Sequence, residues 1–162
     1  MADILSGRPE RQAIVEEVGR ESQFVFRDGN DPNRRIRETV YWDDFISSGL
    51  LTLVDDPSEA EAQTFVDLSV VLDDGEAMTG AIAIHRGYGV ITDDRKASRI
   101  LSGLGIVITS SLDLVAEWIE ESRIPSEQAA TVLLDIRIRA RYVPPRTHGR
   151  YEWWVSTMHD PG

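Results

Sequence analysis

The sequence predicts an α/β fold in which helices cover both faces of a mainly parallel sheet. Between residues 57 and 123, two short β-branched runs, YGVIT and GIVIT, alternate with longer segments of helical periodicity. A strand–helix–strand–helix order with short joints is typical of βαβ units, whose strands are parallel. The chain has 162 residues, which suits one domain with a single core. We therefore expect a single domain over 1–145 and an irregular tail over 146–162.

Two helices are predicted before the first of these strands. The segment PSEAEAQTFVDLSVVL has helical spacing, and its apolar stripe consists of Phe65, Leu68, Val71 and Leu72. The segment DDGEAMTGAIAIHRG follows as a second helix, with Glu76 near its start and Gly87 as its C-cap.

The strand YGVIT ends at Asp93 and Asp94, which open the predicted helix DDRKASRILSGLG. GIVIT is the next short strand, and SSLDLVAEWIEESRI is a helix with a serine N-cap. One aspartate of the pair is expected to cap the helix that follows it. Ligands of open parallel sheets bind beyond the carboxyl ends of the strands, so both aspartates also occupy a candidate functional position.

The flanking segments are less regular. RQAIVEEVGRES indicates a short strand that runs into a helix, and GLLTLVDD indicates another buried strand. FRDGNDPNRRIRE has the composition of a polar loop. SEQAATVLLDIRIRARY is helical at first, and its alternating end either continues the helix or becomes extended. VPPRTHGRYEWWVSTM is expected to be the irregular tail.

Composition limits the function classes. With 28 acidic and 17 basic residues, the net charge of −11 argues against a protein that coats nucleic acid by bulk attraction. It is compatible with a carboxylate cluster that needs a cation, with a surface for a basic partner, and with simple solubility. The sequence has no cysteine, no bilayer-length apolar run and no visible secretory signal. We therefore expect a cytoplasmic protein without disulfides, thiolate metal sites or a membrane partner.

Several acidic residues are candidates for a metal site. Asp93 and Asp94 end a strand, Glu76 opens the preceding helix, and Glu17 and Glu21 lie one turn apart on the helix after QAIV. Acids that converge there would repel one another unless they are protonated or bridged by a divalent cation such as Mg²⁺ or Mn²⁺. Such a metal can activate water against a phosphodiester. The alternatives are helix capping for the first three and a solvated helix face for the others.

Basic residues follow the two aspartates directly. Arg95 and Lys96, in DDRKASR, would place two cations beside the proposed acids, where they could hold the backbone of a polyanion. The alternative is an ordinary solvated helix surface.

The stretch GEAMTGAIAIHRGYGVITDDRKASRILSGLGIVITSSLDLV resembles the PIN-domain family, metal-dependent nucleases that include the toxin ribonucleases of toxin–antitoxin pairs. The family's pattern is an acid that opens a helix of small residues, a glycine at its end, a strand closing in T-x-D, a helix, and another short strand. Glu76 matches the acid, and Thr92, Asp93 and Asp94 match the strand end. The match covers 73–115 and, more loosely, 10–26, where IVEEVGRES resembles the family's acid-bearing helix.

The resemblance implies a PIN-like three-layer αβα sandwich around a central, mainly parallel sheet. It implies hydrolysis of RNA with Mg²⁺ or Mn²⁺, an RNA substrate and, for a toxin, an antitoxin-like protein partner; a homodimer stays open. The residues implied are, for the metal, Glu21 (with Glu17 as the fallback), Glu76 and Asp94; as a second ligand or helix cap, Asp93; and, for RNA contact, Thr92, Arg95 and Lys96.

One departure from the family's pattern lies at the start of the chain. PIN domains begin with an apolar strand that ends in a metal-binding aspartate, whereas MADILSGRPERQ resembles the helix that should follow. Asp3 is therefore not assigned that role. Either the true start lies upstream, or the strand has been lost, which would leave backbone donors and acceptors of the sheet to be satisfied elsewhere. Two hypotheses follow: a Mg/Mn-dependent endoribonuclease, and a catalytically impaired PIN-derived binding module that acts through a protein partner.

Overall fold

The computed structural model describes residues 2–8, 10–21, 24–28 and 35–159, without the side chains of residues 21, 24–28 and 35. It is a mixed α/β structure, as predicted. Its elements in chain order are α1 (Ala2–Ser6), β1 (Ala13–Val15), α2 (Glu16–Glu21), β2 (Phe24–Asp28), β3 (Arg35–Thr39), α3 (Trp42–Ser47), β4 (Thr52–Val54), α4 (Glu59–Ser69), α5 (Asp74–Arg86), β5 (Val90–Ile91), α6 (Arg95–Gly103), β6 (Ile108–Thr109), α7 (Ser111–Glu121), α8 (Ser126–Asp135), a π-helical segment (Ile136–Ala140) and α9 (Tyr151–His159).

The chain divides into two compact units. The first unit consists of Met1–Gln23 and Tyr41–Ser111, and the second consists of Phe24–Val40 and Leu112–Gly162. The first unit contains β1, β4, β5 and β6 together with helices α1 to α6. The second contains the β2–β3 hairpin and the helices of the carboxyl-terminal part of the chain.

The described strands pair in twos. In the first unit β1 pairs with β4 and β5 pairs with β6, both in parallel. In the second unit β2 pairs antiparallel with β3. The expected parallel pairing is therefore confirmed. The finer expectation of a three-layer sandwich around one central sheet is not, because the described strands form only two-stranded sheets and β5 and β6 are two residues long.

Local signals account for the helix boundaries in the first unit. Ser58 and Glu61 form a capping box at the start of α4, in which each side chain accepts a hydrogen bond from the other residue's backbone N–H. Helix α5 ends at Gly87, which has a left-handed φ of 67°, a conformation that costs glycine little. The prediction of Gly87 as a C-cap is confirmed.

Helix α5 organises the core of the first unit. Its small residues Ala77 and Ala81 belong to a cluster with Val90 of β5, and Met78 and Ile82 pack with Val15 of β1. Close packing also explains Gly80, because a Cβ atom there would lie 2.6 Å from Leu101 Cδ2. The small residues thus let neighbouring elements approach the helix closely.

Three flanking segments bear on the expectations from the sequence: two of them differ from the prediction, and one settles an alternative that the sequence left open. The predicted polar loop FRDGNDPNRRIRE contributes residues to both strands of the β2–β3 hairpin, while its central residues 29–34 lie outside the described part. The end of SEQAATVLLDIRIRARY continues as a π-helix. The expected irregular tail is wrong over α9, because buried Trp154 packs edge-on against Tyr142 with ring centroids 6.1 Å apart and gives the helix a tertiary anchor.

Candidate functional site

Asp94 is fixed at the carboxyl end of β5 by its role as a helix cap. Its Oδ1 accepts hydrogen bonds from the backbone N–H groups of Lys96 at 2.7 Å and Ala97 at 2.8 Å. Its own N–H donates to Thr92 Oγ1 at 3.1 Å. The prediction that one of the two aspartates caps α6 is confirmed, and the residue is Asp94. Only Oδ1 takes part in these two cap bonds, so the second carboxylate oxygen stays outside the cap.

Asp93 has a different partner. Its Oδ1 accepts a hydrogen bond of 3.0 Å from the backbone N–H of Ser111, the first residue of α7. Of the two alternative roles expected for Asp93, that of the α6 cap is wrong, because Asp94 occupies that position, and that of a second metal ligand stays a prediction. An aspartate hydrogen-bonded to a helix start is favourable on its own, so the contact gives Asp93 a structural role.

Glu76 lies in the first turn of α5 and is half-buried. Its pKa is raised above the usual value, first by burial and next by the negative charge of Asp94. Asp73 acts in both directions, because its charge raises the pKa while a hydrogen bond from its backbone lowers it; the charge of Lys96 also lowers it. Glu76 and Asp94 are thus close enough to repel each other, although they come from different elements.

A cleft of about 150 Å³ adjoins Glu76 within the first unit. Most of its lining is apolar or small, and Glu76 is its single ionisable residue. The lining residues are Val18, Gly75, Glu76, Thr79, Val90, Ile91, Thr92, Ala97 and Leu101. The cleft therefore combines an apolar wall with a polar end at Glu76, Thr79 and Thr92.

The acids of α2 are placed less favourably for the predicted metal site. Glu17 is half-buried on α2, but Val18 is the α2 residue that lines the cleft. Glu21 ends α2, and its side chain lies outside the described part. Within the described residues, no three His, Asp or Glu side chains form a group that could hold a metal.

The donor set of Glu76 and Asp94 fits one kind of metal site. Mg²⁺ retains several water ligands and is commonly bound through one or two carboxylates. A carboxylate whose pKa is raised by the charge of a second carboxylate matches that chemistry, because a cation would relieve their repulsion. Among the described residues, the site fits a largely hydrated divalent cation better than one enclosed by protein ligands.

The predicted RNA-contacting cations lie close to this pair. Arg95 and Lys96 are exposed in the first turn of α6, and the charge of Lys96 reaches Glu76. Thr92 is half-buried at the cleft and accepts the hydrogen bond from Asp94. The structure therefore brings Thr92, Lys96, Glu76 and Asp94 into one neighbourhood, while their contact with RNA stays a prediction.

Several residues of the site were not found from the sequence. Thr79 lines the cleft three residues after Glu76, a spacing that places both on one side of α5 and could have identified it. Val18 gives no local signal, because its part in the cleft depends on how α2 packs. Thr79 Oγ1 donates to the Gly75 carbonyl at 2.7 Å, which fixes its side chain.

Comparison of the chain with family models, curated proteins and solved structures gives no match. No described helix is long and apolar enough to cross a membrane. The residues of this site and the resemblance in the sequence are therefore the features that indicate a function.

Proposed function

We propose that this chain is a PIN-like, metal-dependent ribonuclease that hydrolyses RNA phosphodiester bonds with Mg²⁺ or Mn²⁺ bound at Glu76 and Asp94. The observation that carries the proposal is that Glu76 of α5, which lines the cleft, lies close enough to Asp94 at the end of β5 for the charge of Asp94 to raise the pKa of Glu76. The resemblance of residues 73–115 to the family supports the reaction type. A three-layer sandwich around a completed sheet belongs to the same proposal.

Each residue has a separate task in this proposal. Glu76 and Asp94 hold the metal together with water, and Glu21, or Glu17 in its place, would add a third acid. The bound metal would supply activation of a water molecule for attack on phosphorus. Asp94 is suited to this task, because the cap bonds through Oδ1 fix the orientation of its carboxylate.

The cations of α6 would position the substrate. Arg95 and Lys96 carry the positive charge nearest to the acid pair in sequence, and they would contact the RNA backbone while Thr92 offers a hydroxyl at the strand end. Because the whole chain carries −11, these local cations have to provide most of the attraction for RNA. RNA binding should therefore weaken with salt, with a slope set by a few phosphate contacts.

Cleavage of a labelled structured RNA by the purified chain, with Mn²⁺ or with EDTA, tests the proposal. Glu76→Gln and Asp94→Asn remove one charge each, and asparagine retains the cap acceptor of α6. Asp74→Asn is the matched control, because Asp74 lies in the same turn of α5 but does not line the cleft. Since outer-shell changes at metal sites already cost about 10- to 100-fold, we expect larger losses in the two site variants and little change in the control.

Cleavage that persists in both site variants would identify a contaminant or another site and would contradict the proposal. Absence of cleavage by a folded chain, together with no Mn²⁺ binding detectable by electron paramagnetic resonance, would contradict the ribonuclease hypothesis. The second candidate, a PIN-derived binding module acting through a protein partner, would then be preferred. It is favoured by one observation: the described residues bring only two acids of the predicted set together.

A further inference from the structure

The two parallel strand pairs of the first unit lie under the same helix. Helix α5 packs on β1 through Met78 and Ile82. Ala77 and Ala81, each one residue earlier in the helix, share a cluster with Val90 of β5. Residues that follow each other in a helix are 100° apart, so these two pairs form neighbouring stripes. β1 and β5 are the strands of the two sheets that contact α5 most extensively.

The hydrogen bonds of β5 define its second edge. Val90 N–H donates to the Val107 carbonyl at 2.9 Å, and Thr92 N–H donates to the Thr109 carbonyl at 3.1 Å. In a parallel ladder, alternate residues direct their backbone groups to opposite sides. The N–H and carbonyl of Ile91 therefore point away from β6.

The same reasoning applies to β1. The Thr52 N–H of β4 donates to the Gln12 carbonyl at 2.9 Å, and Ala13 stands opposite Thr52 in the register. Ala13 and Val15 accordingly direct their backbone groups away from β4. Within the described residues, each of these two strands has one strand neighbour, and the backbone groups on its other edge have no strand partner.

The cleft lies beside these two strands. Val90 and Ile91 of β5 line it on one side, and Val18 of α2, which directly follows β1, lines it on another. Pairs of parallel strands are rarely stable alone and are normally buried on both faces. The first unit therefore contains two incomplete parallel pairs and an apolar cleft, which together suit an additional strand.

We propose that an extended segment of a partner protein adds between β1 and β5 as a parallel strand, with an apolar middle and a lysine or arginine at its carboxyl end beside Glu76 and Asp94. A parallel strand would end at the same edge as β5, where these acids lie. The charge of the unit favours a basic partner, because Met1–Gln23 and Tyr41–Ser111 contain 17 acidic and 7 basic residues, a net of −10. Main-chain hydrogen bonds would provide affinity, and the side chains in the cleft would provide specificity.

This inference is independent of the proposed ribonuclease function, because the strand edges and the cleft are the same whether or not RNA is cleaved. Its test accordingly uses no measurement of cleavage. A partner that fills the cleft would also compete with a cation at Glu76 and Asp94, and added Mn²⁺ should then weaken strand binding.

The first experiment measures the fluorescence anisotropy of the labelled peptide Thr-Val-Val-Ile-Val-Ala-Arg with the full chain. One control peptide has proline in place of isoleucine, which removes a central N–H and blocks strand pairing; the other has glutamate in place of arginine. We expect each control peptide to bind at least about tenfold more weakly, since it loses main-chain pairing or charge complementarity. Equal binding of the proline peptide would overturn the proposal.

Two variants of the chain test the location. Thr79→Phe would fill the cleft and should weaken peptide binding at least about tenfold. Thr131→Phe is the matched control, because Thr131 on α8 is exposed and, like Thr79, donates its hydroxyl to the carbonyl four residues earlier. Equal losses in both variants, or no loss in either, would contradict binding in the cleft.

Hydrogen exchange of the chain with the peptide fused to its amino end gives the decisive readout. A twelve-residue Gly/Ser linker spans about 20 Å and raises the local peptide concentration to about millimolar. The fused peptide therefore binds even if its side chains fit the cleft poorly. We expect new protection of the Ile91 and Ala13 amides, whereas the Val90 and Thr92 amides are already bonded to β6. No added protection at Ile91 relative to the same fusion with proline would reject the proposal.

Discussion

Glu61, which is buried, forms an ion pair with the partly exposed Arg86 between α4 and α5, and the contribution of this pair to stability should depend strongly on pH. Arg86 Nε lies 2.6 Å from Glu61 Oε1 and Nη2 lies 3.0 Å from Oε2, a bidentate geometry. The hydrogen bond from Arg86, followed by the backbone N–H of Ser58, lowers the pKa of Glu61 from 4.5 to about 2. The side chain of Glu61 is only 4% exposed, so both partners are needed to stabilise its charge.

The size of the effect follows from this shift. One pKa unit corresponds to about 1.4 kcal/mol, and the side chain of Arg86 is one-third exposed, which adds solvent screening. We therefore expect the ionised Glu61 carboxylate, through Arg86 and Ser58 together, to contribute about 2 to 3 kcal/mol to the free energy of unfolding. Because the folded pKa lies below the unfolded one, this contribution is present above pH 4.5 and is lost as the pH falls towards 2.

Urea unfolding of the chain and of Glu61→Gln, followed by circular dichroism between about pH 7 and pH 3, measures this contribution. The difference in unfolding free energy should be largest at neutral pH and should shrink on acidification. Glu59→Gln is the control, since Glu59 lies exposed in the same first turn of α4. A loss that is the same at every pH, or one that the Glu59 variant shares, would refute the assignment.

Five further substitutions have effects on stability whose direction is set by local structure. Gly80→Ala should lower the unfolding free energy by about 1 to 2 kcal/mol although alanine has the better helix propensity, because the new Cβ would lie 2.6 Å from Leu101 Cδ2. Gly87→Ala should lower the unfolding free energy by about 1 kcal/mol, because the φ of 67° at this position is unfavourable for alanine. Asp94→Ala should cost about 1 kcal/mol by removing the cap of α6, and Asp94→Asn only a few tenths; equal losses in urea unfolding would contradict the cap. Glu76→Gln should stabilise the chain at neutral pH but not below the unfolded pKa, since the raised pKa means that the charged form is disfavoured on folding; a destabilised variant at pH 7 would contradict this.

The sequence predicted those features that depend on neighbouring residues. The helix–strand order between residues 57 and 123, the glycine at the end of α5 and an aspartate cap on α6 are all present. Each follows from short-range chemistry: apolar spacing, a φ that suits glycine, or a side chain that reaches the backbone two or three residues ahead. The capping box that starts α4 has an equally local signature, S-x-x-E.

Tertiary contacts decided the features that were missed. The ends of the predicted loop pair with each other as β2 and β3, and α9 is stabilised by packing of Trp154 on Tyr142. Neither contact leaves a periodic pattern in the segment itself.

The candidate site likewise combines features that follow from local sequence with features that depend on tertiary packing. The sequence by itself determined which carboxylates stand at helix starts and at a strand end, because capping and strand length are local properties. Only the tertiary structure decided that Glu76 lies beside Asp94, that Asp93 bonds to Ser111, and that Val18 of α2 lines the cleft with Val90 of β5. These relations depend on how helices pack across strands, and packing joins side chains through space without regard to their separation along the chain.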